Sequence, residues 1–187
     1  MAAKQGLREL QTRLAERLQQ ARSAPVASSW LAVESGSRGF LFPLKDAGEI
    51  FAVQPVVPVP HSHRWFLGVS NLRGHLHGVV DLGRFIGVKG AAGDDGRHAE
   101  APRDQARFVG FNQSLSLNCV LLVDKLAGLR GAGELEPDQA ANDETPADAG
   151  ERPPFAGACY RDQNRRVWQE LRLAELAEDE NFLGIVG

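Results

Sequence analysis

The stretch that decides the fold is residues 68–82, which read GVSNLRGHLHGVVDL. Two apolar runs typical of β-strands flank a tight corner, Asn71-Leu72-Arg73-Gly74, which carries a single arginine. Gly74 can relieve backbone strain at the bend, and Arg73 offers a planar, permanently charged group with several hydrogen-bond donors. The stretch predicts a hairpin whose corner is either a recognition surface or an ordinary turn with a solvated arginine.

Outward from this hairpin, apolar residues come in short runs separated by glycine, proline and aspartate, which is typical of strands. Nine strands are predicted, with bounds at 30–34, 39–44, 49–53, 66–72, 75–82, 106–112, 116–124, 155–161 and 166–171. Almost no helical pattern lies between them. The order therefore favours a mostly β fold of small barrels or a sandwich over a parallel α/β sheet.

The start of the chain has helical periodicity instead. Four leucines recur there at spacings of three and four: Leu7, Leu10, Leu14 and Leu18. This spacing predicts an amphipathic helix over residues 1–24. An isolated helix of this length is marginal in water, so its leucine stripe needs a cover. Packing on its own domain, docking to a partner and self-association with a second copy all remain open.

The β part of the chain is predicted as one domain over residues 28–187. Two segments within it, 89–105 and 134–151, are predicted loops because glycine, alanine and charged residues dominate them. A short helix over residues 171–180 is predicted to cap the β structure. Its inward-facing residues are Leu173, Leu176 and Ala177.

Composition excludes several classes of function. The chain has 187 residues and is 43% hydrophobic, which suffices for a core, and its net charge of −3 gives no drive toward nucleic acid. No apolar run approaches the roughly 18 residues of a membrane span, and the start lacks a secretion signal, so a cytoplasmic protein without direct membrane insertion is expected. Cys119 and Cys159 lie in apolar segments and are predicted to be buried, reduced thiols.

Few side chains suggest chemistry. His61 and His63 form one His-x-His pair and His75 and His77 another, and each pair would project from one face of a strand as zinc or copper ligands do. No cysteine or carboxylate completes either pair, so no metal or cofactor is expected, and a metal-binding protein stays an alternative. The chain lacks the Gly-x-Ser-x-Gly and phosphate-loop patterns, which argues against an enzyme.

Two aspartates, Asp81 and Asp124, each end a hydrophobic strand run. A carboxylate at such a position can accept backbone N–H bonds from the turn that follows. We therefore expect both to have structural roles.

Several pieces of sequence, in a set order from about Trp30 to the C-terminus, resemble the CheW-like domain family. They are Trp65, Gly68-Val69, Asn71-Leu72-Arg73-Gly74, Val79-Val80-Asp81-Leu82 and Leu122-Val123-Asp124. Within the family, the N-terminal extension and the region from Trp168 onward are most similar to the PilI-type adaptors of type IV pilus chemosensory systems. The resemblance implies two five-stranded SH3-like β-barrels and no catalytic activity.

The resemblance also implies partners. The expected role is an adaptor that couples the cytoplasmic tip of a methyl-accepting chemoreceptor to the regulatory domain of a CheA-type histidine kinase, in a twitching-motility pathway. A homo-oligomerising module driven by the N-terminal helix is a second alternative.

Residue roles follow from the same resemblance. Arg73 matches the family arginine at the receptor-facing corner, and its supporting motif is matched by Gly68, Val69, Asn71, Leu72 and Gly74. Asp81 and Asp124 match pattern positions whose role is taken as structural. Gly78 stands where many members have proline, so the strand before Asp81 is expected to be more pliable. His75 and His77 are also atypical, and receptor choice could differ accordingly.

Overall fold

The structure, a computed structural model, describes residues 29–88, 103–143 and 152–187. The helix predicted over residues 1–24 lies outside these ranges. The described strands are β1 Ser29–Ser35, β2 Arg38–Pro43, β3 Ala47–Ala52, β4 Phe66–Leu72, β5 His75–Asp81, β6 Arg107–Phe111, β7 Cys119–Val123, β8 Lys125–Gly131, β9 Leu135–Pro137, β10 Ala156–Asp162 and β11 Val167–Leu171. The described helices are α1 Leu82–Phe85, α2 Gln139–Asp143, α3 Leu173–Leu176 and α4 Glu180–Leu183.

The described strands form two curled sheets, which confirms the mostly β prediction. The first sheet has the order β8-β1-β2-β11-β10-β9 and the second β3-β6-β7-β5-β4. The chain leaves the first sheet after β2, builds the whole second sheet, and returns at β8. Two parallel pairings, β2 with β11 and β5 with β7, result from this excursion. The first sheet has six strands because the short β9 joins its edge.

All nine predicted strands are present, and β8 and β9 are additional. The prediction of an unstructured loop from residue 134 is wrong at its start, where β9 and α2 form. Leu135 is buried there, and Asp138 Oδ2 pairs with Arg161 Nη2 at 2.7 Å. These are tertiary contacts with β10, which an acid-rich composition does not reveal.

Two other predicted boundaries shift. The strand predicted from residue 116 begins only at Cys119, because Gln113–Leu115 forms a 3-10 turn and Ser116 has a φ of +52°. The single helix predicted over 171–180 is replaced by α3 and α4. Asp179 caps α4 by accepting the Phe182 N–H at 2.9 Å. Leu173 and Leu176 are buried as predicted, and Ala177 packs against them.

Alternation along the central strands explains how the two sheets share a core. Side chains of successive strand residues point to opposite faces. In β1, Leu31 and Val33 join a cluster that also contains Val80 of the second sheet, whereas Trp30 and Ala32 face a smaller cluster within the first sheet. The second sheet likewise has its own smaller cluster, formed by Leu72, Val79, Phe108 and Val120. The central strands of each sheet are therefore buried on both faces, which is why they are nearly continuous apolar runs, whereas edge strands such as β3 and β8 are more exposed.

The helices add no membrane segment. None within residues 29–88, 103–143 and 152–187 has the length and apolar character needed to cross a bilayer.

Candidate functional site

The arginine corner is a strained and well-braced turn. Arg73 and Gly74 have φ values of +51° and +88° between β4 and β5. Positive φ at both central residues is the signature of a type I′ hairpin, whose twist matches that of the flanking strands. Gly74 adopts this conformation freely, but a side-chain-bearing residue such as Arg73 loses on the order of 1 kcal/mol. Asn71 Oδ1 accepts the Gly74 N–H at 2.8 Å and holds the corner.

The Arg73 side chain crosses to the other edge of the second sheet. Its Nη1 lies 2.6 Å from Glu49 Oε1, and its Cζ lies 5.9 Å from the centre of the Phe51 ring. Both partners belong to β3, whereas Arg73 directly follows β4, the opposite edge strand. The side chains of Arg73 and Glu49 are 74% and 44% exposed, so the guanidinium is oriented yet open to solvent.

A groove of about 850 Å³ lies beside this pair. Its walls are β3, the arginine corner, the histidine-bearing start of β5, and the turn from Asn112 to Cys119. Glu49, Arg73, His75 and His77 are its titratable lining residues apart from Cys119. Amide and hydroxyl groups and apolar side chains make up the remainder, so the groove offers a mixed lining, slightly more polar than apolar, with several directional groups.

The predicted site residues divide into two groups. Asn71, Arg73 and Gly74 are exposed at the corner, where a partner can reach them. Leu72, Gly68 and Val69 instead lie in or against the core. They support the hairpin, and Leu72 also lines the groove described above.

Gly68 shows why that support needs glycine. Its φ is +131°, and a Cβ added there would overlap the carbonyl oxygen of Val57. This close approach allows Val69 and Val57 to exchange backbone hydrogen bonds of 2.8 and 2.9 Å. The segment around Val57 thereby covers the outer side of β4.

Gly78, the glycine expected from the resemblance to stand where many family members have proline, is hydrogen-bonded. Gly78 donates its N–H to Asn118 O at 3.0 Å, and the Phe66 ring would lie 3.1 Å from an added Cβ. Proline has no N–H to donate. In this chain Gly78 therefore ties β5 to the turn that forms one wall of the groove.

The four histidines do not form one site. His75 and His77 line the groove. The His63 ring lies elsewhere and stacks on the Trp65 ring, with ring centres 5.4 Å apart. The backbone N–H of His63 donates to Ile185 O at 2.9 Å. Within the described ranges, no group of three or more His, Cys, Asp or Glu side chains is arranged to hold a metal ion. The geometry therefore does not support the metal-binding alternative.

The two strand-ending aspartates bond to backbone N–H groups. Asp81 Oδ1 accepts the Arg84 N–H at 3.0 Å, and burial raises the pKa of its carboxyl despite this bond and the nearby guanidinium. Asp124 Oδ2 accepts the Gly36 N–H at 2.6 Å. Gly36 belongs to the β1–β2 turn and not to the turn after Asp124, so this aspartate joins the two sheets.

Both cysteines are buried and free, as predicted. Cys119 lines the groove, and burial raises the pKa of its thiol to about 12. A thiol with such a pKa is not ionised near neutral pH and is a poor nucleophile.

Sequence reasoning missed Glu49 and Phe51. Both fall in a predicted strand, and an acidic residue in an otherwise apolar strand is the signal that could have suggested a counter-charge for Arg73. The pairing itself depends on how the sheet curls.

Comparisons with known proteins agree on one family. Residues 29–181 match the family described as CheW-like domain. Protein PilI of Pseudomonas aeruginosa is 25% identical over 173 residues, which cover 92% of this chain and 88% of that protein. The crystal structure of scaffolding protein TtCheW from Thermoanaerobacter tengcongensis matches with a TM-score of 0.62 at 15% identity, covering 86% of this chain and 93% of that chain. At this identity the last match concerns the fold alone.

Proposed function

Because the chain belongs to the CheW-like domain family, we propose that it is a non-enzymatic cytoplasmic adaptor that couples a methyl-accepting chemoreceptor to a CheA-type histidine kinase. The observation that carries this proposal is the groove beside Arg73, where an exposed guanidinium is held at the edge of a partly apolar cavity. TtCheW, whose fold this chain shares, is a scaffolding protein, which agrees with such a role.

The groove suits the helical tip of a receptor. A helix laid in a groove gains affinity from apolar burial, and a charged hydrogen bond sets its orientation. The described contacts engage one nitrogen of Arg73 with Glu49. The guanidinium has further donors, so a partner carboxylate or carbonyl can bind without breaking this pair. A moderate affinity suffices, because an array multiplies weak contacts through effective concentration.

An edge strand suits the kinase domain. β8 has seven residues and pairs within the described chain only with β1, and Leu129 on it is 60% exposed. An edge of this kind can accept a strand from another protein through backbone hydrogen bonds. In contrast, the segment around Val57 partly covers β4. We assign kinase pairing to the β8 edge for this reason.

The pathway assignment rests on sequence similarity. The chain resembles PilI-type adaptors, and its 25% identity to Protein PilI supports a type IV pilus chemosensory pathway with twitching motility as the output. No contact within the described ranges favours the homo-oligomer alternative over the adaptor.

A binding measurement with matched arginine variants tests the receptor assignment. Arg73→Glu reverses the charge at the groove and is expected to weaken binding to receptor cytoplasmic fragments at least about tenfold, with unchanged thermal unfolding. Arg165→Glu is the control, because Arg165 is also an exposed arginine with positive φ in a hairpin, at +62°, but joins β10 and β11. Equal affinities for the two variants would refute the groove as the receptor site.

A further inference from the structure

A second cleft lies where β1 begins, β2 ends and β11 leads into α3. Its volume is about 890 Å³. The apolar wall is formed by Trp30, Pro43, Leu44 and Ala174. Leu44 is 42% exposed, so part of this wall is open to solvent. None of these residues lines the groove beside Arg73.

The other wall of this cleft is acidic. It contains Asp46, Glu170 and Glu175, against the two cations Lys45 and Arg172. Arg172 Nε lies 3.9 Å from Glu170 Oε2, and Arg172 Nη1 lies 3.7 Å from Glu175 Oε1. Glu170 also accepts the Trp30 indole N–H at 2.8 Å. The carboxylates therefore outnumber the cations.

Asp46 is the least compensated of the three acids. The residue is only 9% exposed, and within the described part of the chain its carboxylate has no hydrogen bond or ion pair. Burial raises the pKa of this carboxyl, Lys45 offsets the effect in part, and Glu175 and Glu170 raise it further. Every fully buried side-chain oxygen in the described residues has a hydrogen-bond partner, so the unbonded Asp46 carboxylate keeps contact with solvent in the cleft, where a cation can reach it. The cleft is therefore suited to an occupant that brings a cation together with apolar surface.

The chain's own first 28 residues have both properties. They contain five basic and two acidic residues, a net charge of +3, so the rest of the chain, whose total is −3, carries −6. Their leucine stripe ends at Leu18, and Arg22 follows four residues later on the same side of a helix. Residues 24–28 can span at most about 17 Å, and they join Ser29, which itself lines the cleft.

We propose that residues 1–23 form a helix that docks in cis on this cleft. The C-terminal part of the leucine stripe covers Leu44 and Ala174, and Arg22 faces the acidic wall at Asp46. The tether raises the effective concentration of the helix into the millimolar range, which favours this occupant over a separate partner.

This docking would brace the adjacent groove. Asn112 lines the groove, and it donates its side-chain N–H to Lys45 O at 3.0 Å and its backbone N–H to Asp46 O at 2.8 Å. The turn that forms the floor of the cleft is thus bonded to a wall of the groove. The proposal does not depend on which partner the groove binds.

Cross-linking of the full chain tests the docking. Ser23→Cys, next to Arg22, is combined with Lys45→Cys at the cleft, or with Lys125→Cys as the control, so that Arg22 and the acidic wall are kept, and each pair is treated with a short bismaleimide. Lys125 lies opposite Glu34, at the far end of β1 and about 17 Å from Ser29 at the usual rise per strand residue. The cleft pair is expected to give at least about fivefold more intramolecular product than the control. The buried native cysteines set the background in the unmodified chain.

A further pair of variants tests the leucine stripe. Leu18→Asp is expected to lower the yield of the cleft pair to that of the control, whereas Gln19→Asp, off the stripe, should leave it unchanged. Neither change touches the described fold, so loss of folding cannot explain the result. Equal yields for the cleft and control pairs would overturn the proposal. Cross-linked dimers whose yield rises with protein concentration would also overturn it, since a second copy would then occupy the cleft.

Discussion

Arg73 and Glu49 join the two edges of the second sheet. Arg73 follows β4 and Glu49 lies in β3, the first and last strands in the spatial order of that sheet, yet their side chains approach to 2.6 Å. His77 of β5 and Phe51 of β3, with ring centres 6.1 Å apart, make a second contact across the same gap. The arginine that we assign to partner docking is therefore also a closing contact of its own sheet.

A charge swap separates these two roles of Arg73. Arg73→Glu combined with Glu49→Arg restores an ion pair across the sheet but reverses the charge offered to a partner. Stability should stay within about 1 kcal/mol of the unmodified protein, because exposed ion pairs contribute little. Receptor affinity should remain as low as in Arg73→Glu alone. Recovery of affinity in the double variant would show that Arg73 acts only by closing the sheet.

Gly68→Ala should be strongly destabilising. The new methyl group would overlap the Val57 carbonyl in a backbone conformation that disfavours side chains, so a loss of about 2 kcal/mol or more is expected. Gly74→Ala is the matched control, since φ is also positive but no atom lies within 4 Å of the added Cβ. Its cost should be about 1 kcal/mol, from the backbone alone. Urea unfolding of both variants measures the difference, and equal losses would argue against the close approach at Val57.

Phe182→Ala tests the packing of α4. Phe182 is 3% exposed and contacts the rings of Trp65, Phe85 and Phe111. Removing it should cost about 3–5 kcal/mol, as for other buried aromatic residues. The neighbouring Leu183 is 48% exposed, and Leu183→Ala should cost less than about 1 kcal/mol. Thermal unfolding that treats the two variants alike would contradict the described position of α4.

Cys119 should make stability fall in alkaline solution. The pKa of its thiol is about 12 in the folded protein, against an ordinary value of 9.0. Because the folded value is higher, the stabilising contribution is complete below pH 9 and is lost as the pH rises toward 12. In urea titrations the unmodified protein should lose about 1.4 kcal/mol per pH unit relative to Cys119→Ala above about pH 9. A constant difference between the two proteins from about pH 8 to about pH 10.5 would contradict the burial of this thiol.

Local pattern was enough to predict most of the strands. The runs that became β1 to β7, β10 and β11 are rich in apolar residues and bounded by turn residues, and burial of both faces makes the central ones conspicuous. β8 was not predicted because glycines interrupt its apolar run, and β9 was not predicted because acidic residues surround it. The partners that order them, β1 and β10, are distant in sequence.

The candidate site also has a part that the sequence predicted and a part that only the tertiary structure fixed. The sequence by itself determined the corner, since Gly74 adopts the positive φ that a tight hairpin requires and Asn71 can accept a nearby backbone N–H, and it singled out Arg73. Only the tertiary structure decided that Arg73 meets Glu49, that Asp124 bonds to Gly36 of the other sheet, and that Gly68 and Leu72 lie inside. The physical reason is range: turn geometry and strand periodicity depend on neighbouring residues, whereas these contacts depend on how two sheets curl and pack.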